Sequence, residues 1–270
     1  MGADSRREPA AGYERFFGLH QPPFSLAPDT RFLFQSASHA ATFAQVTFAL
    51  QRREPVIVVT GEIGAGKTLL CRTVVERLEA RTFLSIVTDP MLGPEDLLRQ
   101  VLQDFGIVSR DSARAAGATR HDLVRTLQDF LASLAALDAH AVIVIDEAQH
   151  ALPEVLEQIR LVSNAHDDRG TMLQLVLAGQ TEGLEQLLGR DELSQLKQRV
   201  SRYVRLEPLT AGEVARYIGH RLAVARERPS ASALPGARDL AREIAAWERS
   251  NADLTFTPGV GNYQHSLLRF

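Results

Sequence analysis

The sequence is poor in lysine and almost free of cysteine. Of its 30 basic residues only Lys67 and Lys197 are lysine, so nearly every positive charge is an arginine. The single cysteine, Cys71, excludes an intramolecular disulfide and fits a reducing compartment. It lies in an apolar helical pattern, which favours core packing over a reactive thiol. The net charge of −3 gives no sign of a nucleic-acid or acidic-lipid partner.

Long hydrophobic runs are also missing. No apolar run approaches the roughly 18 residues that a membrane-spanning helix needs, and the amino-terminal sequence lacks the apolar stretch of a signal peptide. We therefore expect a soluble, cytoplasmic protein without a membrane span, which would reach the inner membrane only through a partner. With 270 residues, 45% of them hydrophobic, the chain can bury a full core.

Strand and helix patterns alternate along the chain. Helices are predicted over about residues 67–80 and 210–226, the second opened by a capping-box pattern at Thr210 and Glu213. A linker would lead to a last helix near residues 240–249. Buried strands are predicted at residues 56–60, 82–87, 141–146, 172–180 and 202–209. Five strands with helical crossovers indicate an α/β three-layer fold.

Residues 61–68, "GEIGAGKT", match the P-loop (Walker A) pattern G-x-x-x-x-G-K-T between a buried strand and a helix. The glycines would let backbone N–H groups turn toward phosphate oxygens, and the helix amino terminus would add positive charge. Lys67 would supply a compact charge to the β- and γ-phosphates, and Thr68 would ligate Mg²⁺. The motif predicts ATP and Mg²⁺ as cofactors, with the nucleotide bound by Gly61, Glu62, Ile63, Gly64, Ala65, Gly66, Lys67, Thr68 and Leu69.

Asp146 and Glu147 end the apolar segment "VIVIDE" (Walker B), at the strand end where α/β sheets bind ligands. Asp146 would hold Mg²⁺ through water, and Glu147 would orient and polarise the attacking water. The alternative is two acids that merely cap a strand, but the P-loop about 80 residues upstream favours the functional interpretation. A glutamate at this place indicates ATP hydrolysis rather than kinase activity. "DEAQH" is not a helicase box, because its histidine comes one position too late.

Gln180 ends the strand predicted to lie between the P-loop strand and the Asp146 strand. Its side chain would contact the γ-phosphate or the attacking water. The alternative is a turn residue with a solvated amide.

These motifs, together with "YERFFGLHQPPFSLAPDTRFLF" and "LSQLKQRVSRYVRLEPLTAGEVARYIGHRL", resemble the AAA+ ATPases of general secretion pathway protein A type. Relatives serve pilus biogenesis and exopolysaccharide or exosortase systems, and the transposition ATPases are more distant. The resemblance covers about residues 13–225. It implies a five-stranded sheet of order 5-1-4-3-2, a small helical lid and self-association. It also implies an arginine finger acting across the subunit interface, assigned to Arg199, with Arg202 as second choice and an ordinary surface arginine as the alternative.

The resemblance also suggests how the chain divides. We expect an amino-terminal segment packing on the core at residues 1–50, the AAA+ core at 51–209 and a partial lid at 210–270. "LTFTP" at residues 254–258 resembles the start of a lid helix, which should lead to a G-G-x-P-R sensor; "GVGNYQHSLLRF" follows instead. The sensor arginine is therefore expected to be missing, as if by truncation or frameshift, which would weaken ATPase activity.

Three functions follow from these observations. The leading one is an ATP-hydrolysing protein serving assembly of a secretion or cell-envelope polysaccharide system, through a partner protein still to be identified. The second is an ATP-gated DNA-binding regulator. Residues 190–249 hold 12 Lys and Arg against 8 Asp and Glu, a surplus of four that more often marks a solvated helical face. The third is a nucleotide-binding scaffold with little turnover.

Overall fold

The computed structural model describes residues 12–25, 29–78, 81–108, 117–163, 166–167 and 170–227. The described residues fall into two compact units, one of residues 29–213 and one of residues 12–25 with 214–227. The domain boundaries predicted at residues 50/51 and 209/210 stay a prediction.

Five parallel strands form one sheet. Numbered within this sheet, they are β1 Val56–Gly61, β2 Thr82–Val87, β3 His140–Ile145, β4 Leu173–Gly179 and β5 Val200–Leu206. Their order is β2-β3-β4-β1-β5, all pairs parallel. Read from the β5 edge this is the predicted order 5-1-4-3-2, so the predicted α/β fold is confirmed. A short antiparallel hairpin, His166–Asp167 with Gly170–Thr171, lies outside the sheet and was not predicted.

Helices α2 to α6 contribute to the two hydrophobic clusters on the faces of the sheet. In chain order the described helices are α1 Tyr13–Phe16, α2 Ala37–Gln51, α3 Lys67–Val75, α4 Pro94–Asp104, α5 Arg120–Leu134, α6 Pro153–Val162, α7 Thr181–Leu188, α8 Ser194–Gln198 and α9 Ala211–Arg226. Side chains of β1 alternate between two hydrophobic clusters, because successive residues of a strand point to opposite faces. Val56 and Val58 join the cluster with α4, α5 and α6, and Ile57 and Val59 join the one with α2 and α3. The predicted three layers follow from this alternation.

The smaller unit contains α1 and the part of α9 from Val214 onward. The backbone N–H of His20 donates to the carbonyl of Ala225 at 2.8 Å. The Arg221 guanidinium lies 5.8 Å from the ring centroid of Phe24 and donates to the Pro23 carbonyl. These contacts join the segment around residues 20–24 to the second half of α9.

Element ends differ from the predictions by a few residues. Helix α3 stops at Val75 rather than near residue 80, because the N–H groups of Arg77 and Leu78 bond back three residues instead of four, which tightens and ends the helix. Strand β5 runs over residues 200–206 rather than 202–209 and ends before Pro208, which has no N–H to donate. Helix α9 begins as predicted, with Thr210 donating its N–H and its hydroxyl to Glu213.

The predicted helix near residues 240–249 and the "LTFTP" segment lie outside the described residues. Among the helices that the structure describes, none is both long and apolar enough to cross a bilayer.

Candidate active site

The P-loop connects the end of β1 to the start of α3, and each glycine of its motif has a structural reason. Gly64 and Gly66 have φ of +77° and +95°, in the left-handed region that side chains with a Cβ disfavour. A Cβ on Gly61 would lie 2.8 Å from the carbonyl oxygen of Leu206 in β5. The loop shape and the close approach of β5 therefore both depend on glycine.

Lys67 is the first residue of α3, and its ammonium group is turned into the loop. Its Nζ donates to the carbonyl oxygens of Gly61 and Glu62, each at 3.0 Å, and the residue is only 5% exposed. The positive end of the α3 dipole lies at the same place. A buried ammonium beside loop N–H groups is suited to binding the oxygens of a phosphate group.

Thr68 and Asp146 meet across the site. The Thr68 hydroxyl donates to Asp146 Oδ2 at 2.6 Å, although the two residues are 78 positions apart. Asp146 follows β3 directly and is only 9% exposed. A hydroxyl and a carboxylate are the oxygen ligands that Mg²⁺ prefers, so the pair fits the metal role predicted for it.

Glu147 has an unusual backbone conformation. Its φ of +49° lies in the left-handed region, which is uncommon for a residue with a side chain and is enriched at functional sites. Its N–H donates to Asp146 Oδ1 at 3.0 Å, and its Oε2 accepts from Nε2 of Gln149 at 2.7 Å. The carboxylate of Glu147 is therefore held by Gln149, a residue of the same turn.

Gln180 lies at the same edge of the sheet. Gly179 of β4 pairs with Thr60 of β1, so the next residue, Gln180, comes beside the start of the P-loop. Its backbone N–H donates to Oε1 of Gln149 at 3.0 Å. The carboxyl ends of β1, β3 and β4 therefore bring Lys67, Thr68, Asp146, Glu147 and Gln180 to one edge of the sheet, as α/β folds do for their ligands.

The two candidates for the arginine finger, Arg199 and Arg202, do not lie at this edge of the sheet. Arg199 precedes β5 and donates to the carbonyl of Arg160 at 3.5 Å and to the Ser163 hydroxyl at 3.3 Å. Arg202, within β5, pairs with Glu54 at 2.6 Å. Val200 pairs with Val56 at the start of β1, so both arginines belong to the end of the sheet opposite the P-loop.

Sequence reasoning missed two residues of this region, Gln149 and His39. Gln149 was considered only as part of a helicase-like string, and no pattern in the sequence connects it with residue 180. His39 lies in α2, far from the P-loop in sequence. A Cβ on Gly66 would come within 3.0 Å of its Nε2, so the ring packs directly on the P-loop.

The His39 imidazole is buried and held in place. Its Nδ1 is 2.8 Å from the Ser36 hydroxyl, which also caps α2 by accepting the His39 backbone N–H. Burial lowers the pKa of His39, while its contact with the Ala65 backbone and the charge of Glu213 oppose that shift. The ring is therefore neutral at physiological pH.

We expect the free energy of unfolding to decrease as the pH falls below about 6.5, the pKa of an unfolded histidine. Between the pKa of His39 in the unfolded chain and its lower pKa in the folded chain, His39 binds a proton in the unfolded chain but not in the folded one. Lowering the pH through this range therefore favours unfolding. Urea unfolding at pH 7.5 and 5.5 measures the effect. His39→Gln should reduce the loss on acidification, whereas His121→Gln, on an exposed position of α5, should not. An unchanged pH dependence in His39→Gln would contradict the prediction.

Cys71 is buried in α3, as the sequence predicted. Burial raises the pKa of its thiol to about 12, so the thiol stays protonated near neutral pH and is unreactive.

Comparison with known proteins identifies the family of the chain. The family model described as AAA domain matches residues 50–188. General secretion pathway protein A of Aeromonas hydrophila is 38% identical over 213 residues, which are 79% of this chain and 38% of that protein. The chain therefore spans well under half the length of this relative. The resemblance predicted from the sequence motifs is confirmed.

Solved structures share the fold. Cdc6p from Pyrobaculum aerophilum has a TM-score of 0.56 at 18% identity, over 76% of this chain and 55% of that one. The ORC2 protein of Aeropyrum pernix, solved with ADPNP and ADP, has a TM-score of 0.52 at 16% identity, over 69% of this chain and 51% of that one. At such low identity these similarities establish the fold alone.

Proposed function

Because this chain belongs to the AAA domain family, we propose that it binds ATP with Mg²⁺ and hydrolyses the bound ATP at the carboxyl edge of its sheet. The observation that carries the proposal is the 2.6 Å hydrogen bond between Thr68 and Asp146. It joins the P-loop hydroxyl to the acid at the end of β3, the two groups that a shared Mg²⁺ site requires. The ORC2 protein of Aeropyrum pernix, which shares the fold, has been solved with ADPNP and ADP and in an ADP form, which supports ATP as the ligand.

The P-loop would bind the phosphates. The N–H groups of the loop and of the amino terminus of α3 would donate hydrogen bonds to the phosphate oxygens. The Lys67 ammonium, now donating to the Gly61 and Glu62 carbonyls, would exchange those partners for β- and γ-phosphate oxygens. Phosphate oxygens carry more negative charge than carbonyls, so the exchange favours binding.

Thr68 and Asp146 would hold Mg²⁺, Thr68 directly and Asp146 through water. When bound, the ion supplies positive charge to the β- and γ-phosphate oxygens.

Glu147 would act as the base. It takes a proton from the attacking water while the water oxygen bonds to the γ-phosphorus. The bond from the γ-phosphorus to the bridging oxygen breaks, and ADP leaves with that electron pair, giving ADP and inorganic phosphate. The side chain of Gln180 would contact the γ-phosphate or the water.

Arg199 is proposed to serve the site of a neighbouring subunit. It precedes Val200, which pairs with Val56, and the P-loop begins five residues after Val56. Five strand residues span about 17 Å, which takes Arg199 out of reach of its own site. Self-association would therefore be part of the catalytic cycle, with Arg202 as the second choice for the finger.

The cellular role proposed is assembly of a bacterial secretion or cell-envelope polysaccharide system. The support is the 38% identity to general secretion pathway protein A over 213 residues. DNA binding and a scaffold role with little turnover remain the alternative predictions.

Phosphate release across a protein concentration series tests the proposed function. With Mg²⁺ and saturating ATP, turnover per subunit should rise with protein concentration, because the arginine comes from a neighbour and such a residue can be worth about 10³ or more in rate. Arg199→Ala should abolish the rise and leave ATP affinity unchanged. Arg190→Ala, an exposed arginine after α7, is the matched control.

Chelation of Mg²⁺ should stop the release. Tight ATP binding without release would overturn hydrolysis and favour the scaffold alternative. Release that is independent of concentration and unaffected by Arg199→Ala would contradict the finger.

A further inference from the structure

Gln149 connects the two groups proposed to handle the attacking water. It lies in the 3₁₀ turn Ala148–His150 that follows Glu147. Its Nε2 donates to Glu147 Oε2 at 2.7 Å, and its Oε1 accepts the backbone N–H of Gln180 at 3.0 Å. One side-chain amide thus spans the end of β3 and the end of β4.

The hydrogen-bond chemistry fixes which way this amide points. A backbone N–H can only donate, so the atom facing Gln180 must be the amide oxygen. The NH₂ group then faces Glu147 and supplies a donor to its carboxylate. Within the described part of the chain no group donates to the second carboxylate oxygen, Glu147 Oε1, which would accept a hydrogen bond from the water molecule.

Two glycines make room for the side chain. A Cβ on Gly179 would lie 2.6 Å from Gln149 Oε1, and a Cβ on Gly183 would lie 3.0 and 3.1 Å from Gln149 Cβ and Cγ. Real Cβ atoms essentially never approach another heavy atom at 2.6 Å. The end of β4 and the first turn of α7 therefore carry no Cβ at the two positions where Gln149 packs against them.

We propose that Gln149 is a positioning residue that holds the Glu147 carboxylate in line with Gln180, and that Gly179 and Gly183 form its seat. The proposal deepens the proposed function and rests on it. In this role Gln149 contacts neither the nucleotide nor the attacking water. It acts through Glu147, so its loss should affect turnover and leave binding alone.

Gln149→Met keeps the length of the side chain and removes the amide. The rate constant for hydrolysis at saturating ATP should fall about 10-fold or more, the effect of losing a hydrogen bond to a charged group. The affinity for a fluorescent ATP analogue should stay within about twofold, because the P-loop is untouched. An unchanged rate would overturn the proposal, and so would a faster one, which would make Gln149 a restraint on Glu147.

A double-mutant cycle separates positioning from general structure. In a Glu147→Gln background, Gln149→Met should cause no further loss, because the group it positions no longer acts as a base. If the two losses multiply, Gln149 acts independently of Glu147 and the proposal is wrong.

The glycine seat gives an independent test. Gly179→Ala should reproduce the defect of Gln149→Met in the wild-type chain. In a Gln149→Ala background the added methyl should cost less than in the wild-type chain, because the oxygen 2.6 Å away is gone and the atoms that remain, Leu184 Cδ2 at 3.3 Å and the backbone N of residue 149 at 3.4 Å, are farther away. Gly93→Ala is the control, because a Cβ there meets nothing within 4 Å. If Gly179→Ala lowered the hydrolysis rate equally in both backgrounds, the proposal that Gly179 makes room for the Gln149 side chain would be wrong.

NMR spectroscopy tests the contact between Gln149 and Glu147 without measuring hydrolysis. The Gln149 side-chain NH₂ resonance, identified by its disappearance in Gln149→Met, should shift on Glu147→Ala in the nucleotide-free chain. If wild-type protein released no phosphate, the proposed function would fail while this contact could still be observed. If the resonance did not shift, the link between Gln149 and Glu147 would be refuted whatever the ATPase assay gave.

Discussion

Lys67→Ala should lower ATP affinity about 10²-fold or more. The ammonium would make two charge-assisted hydrogen bonds to the β- and γ-phosphates, each worth about 1.5–3 kcal/mol. Even the lower sum, about 3 kcal/mol, corresponds to roughly 10²-fold in the dissociation constant. Equilibrium titration with a fluorescent ATP analogue measures the change.

The chain offers a matched control, because its other lysine is Lys197, exposed on the short helix α8. Lys197→Ala removes the same charge and should bind ATP as the wild type does. Lys67 also bonds two loop carbonyls, so thermal unfolding of both variants should confirm that the fold is kept. Unchanged affinity in a folded Lys67→Ala protein would refute the P-loop assignment.

The sequence predicted those parts of the fold and site that are encoded locally. Strands β1 and β3 are continuous apolar runs because both of their faces are buried, and such runs are visible without a structure. The P-loop is equally local, since Gly64 and Gly66 are needed for their backbone conformation and Lys67 follows directly. Once β1 and β3 are placed in a parallel sheet, the meeting of Thr68 with Asp146 follows from topology.

Side-chain contacts between segments that are distant in the sequence could not be predicted from the sequence alone. The bond from Gln180 to Gln149 joins residues 31 positions apart and depends on how α7 packs on the turn after β3. Gly179 and Gly183 have no glycine-specific φ, and their need for glycine appears only from the atoms that a Cβ would meet. The position of Arg199 likewise depends on β5 pairing with β1.

Glu147→Gln should leave ATP binding nearly intact and slow turnover at least about 10²-fold, the usual range for loss of a positioned base. The amide has nearly the shape of the carboxylate, and its oxygen still accepts from Gln149 Nε2, so the turn after β3 should keep its structure. Steady-state phosphate release with Mg²⁺ and saturating ATP measures the loss. Glu154→Gln, at an exposed acid in the first turn of α6, is the control and should turn over as the wild type does.

Single-turnover hydrolysis tests the central claim most directly, because it follows one bound ATP through the chemical step. Labelled ATP is mixed with excess protein and Mg²⁺, the reaction is quenched at intervals, and the ADP formed is measured for the wild type and for Glu147→Gln. We predict that the wild type converts its bound ATP to ADP, while Glu147→Gln retains intact ATP over at least about 10²-fold longer times. Bound ATP that stays intact in the wild type, or ADP formed equally fast by Glu147→Gln, would contradict hydrolysis at this site.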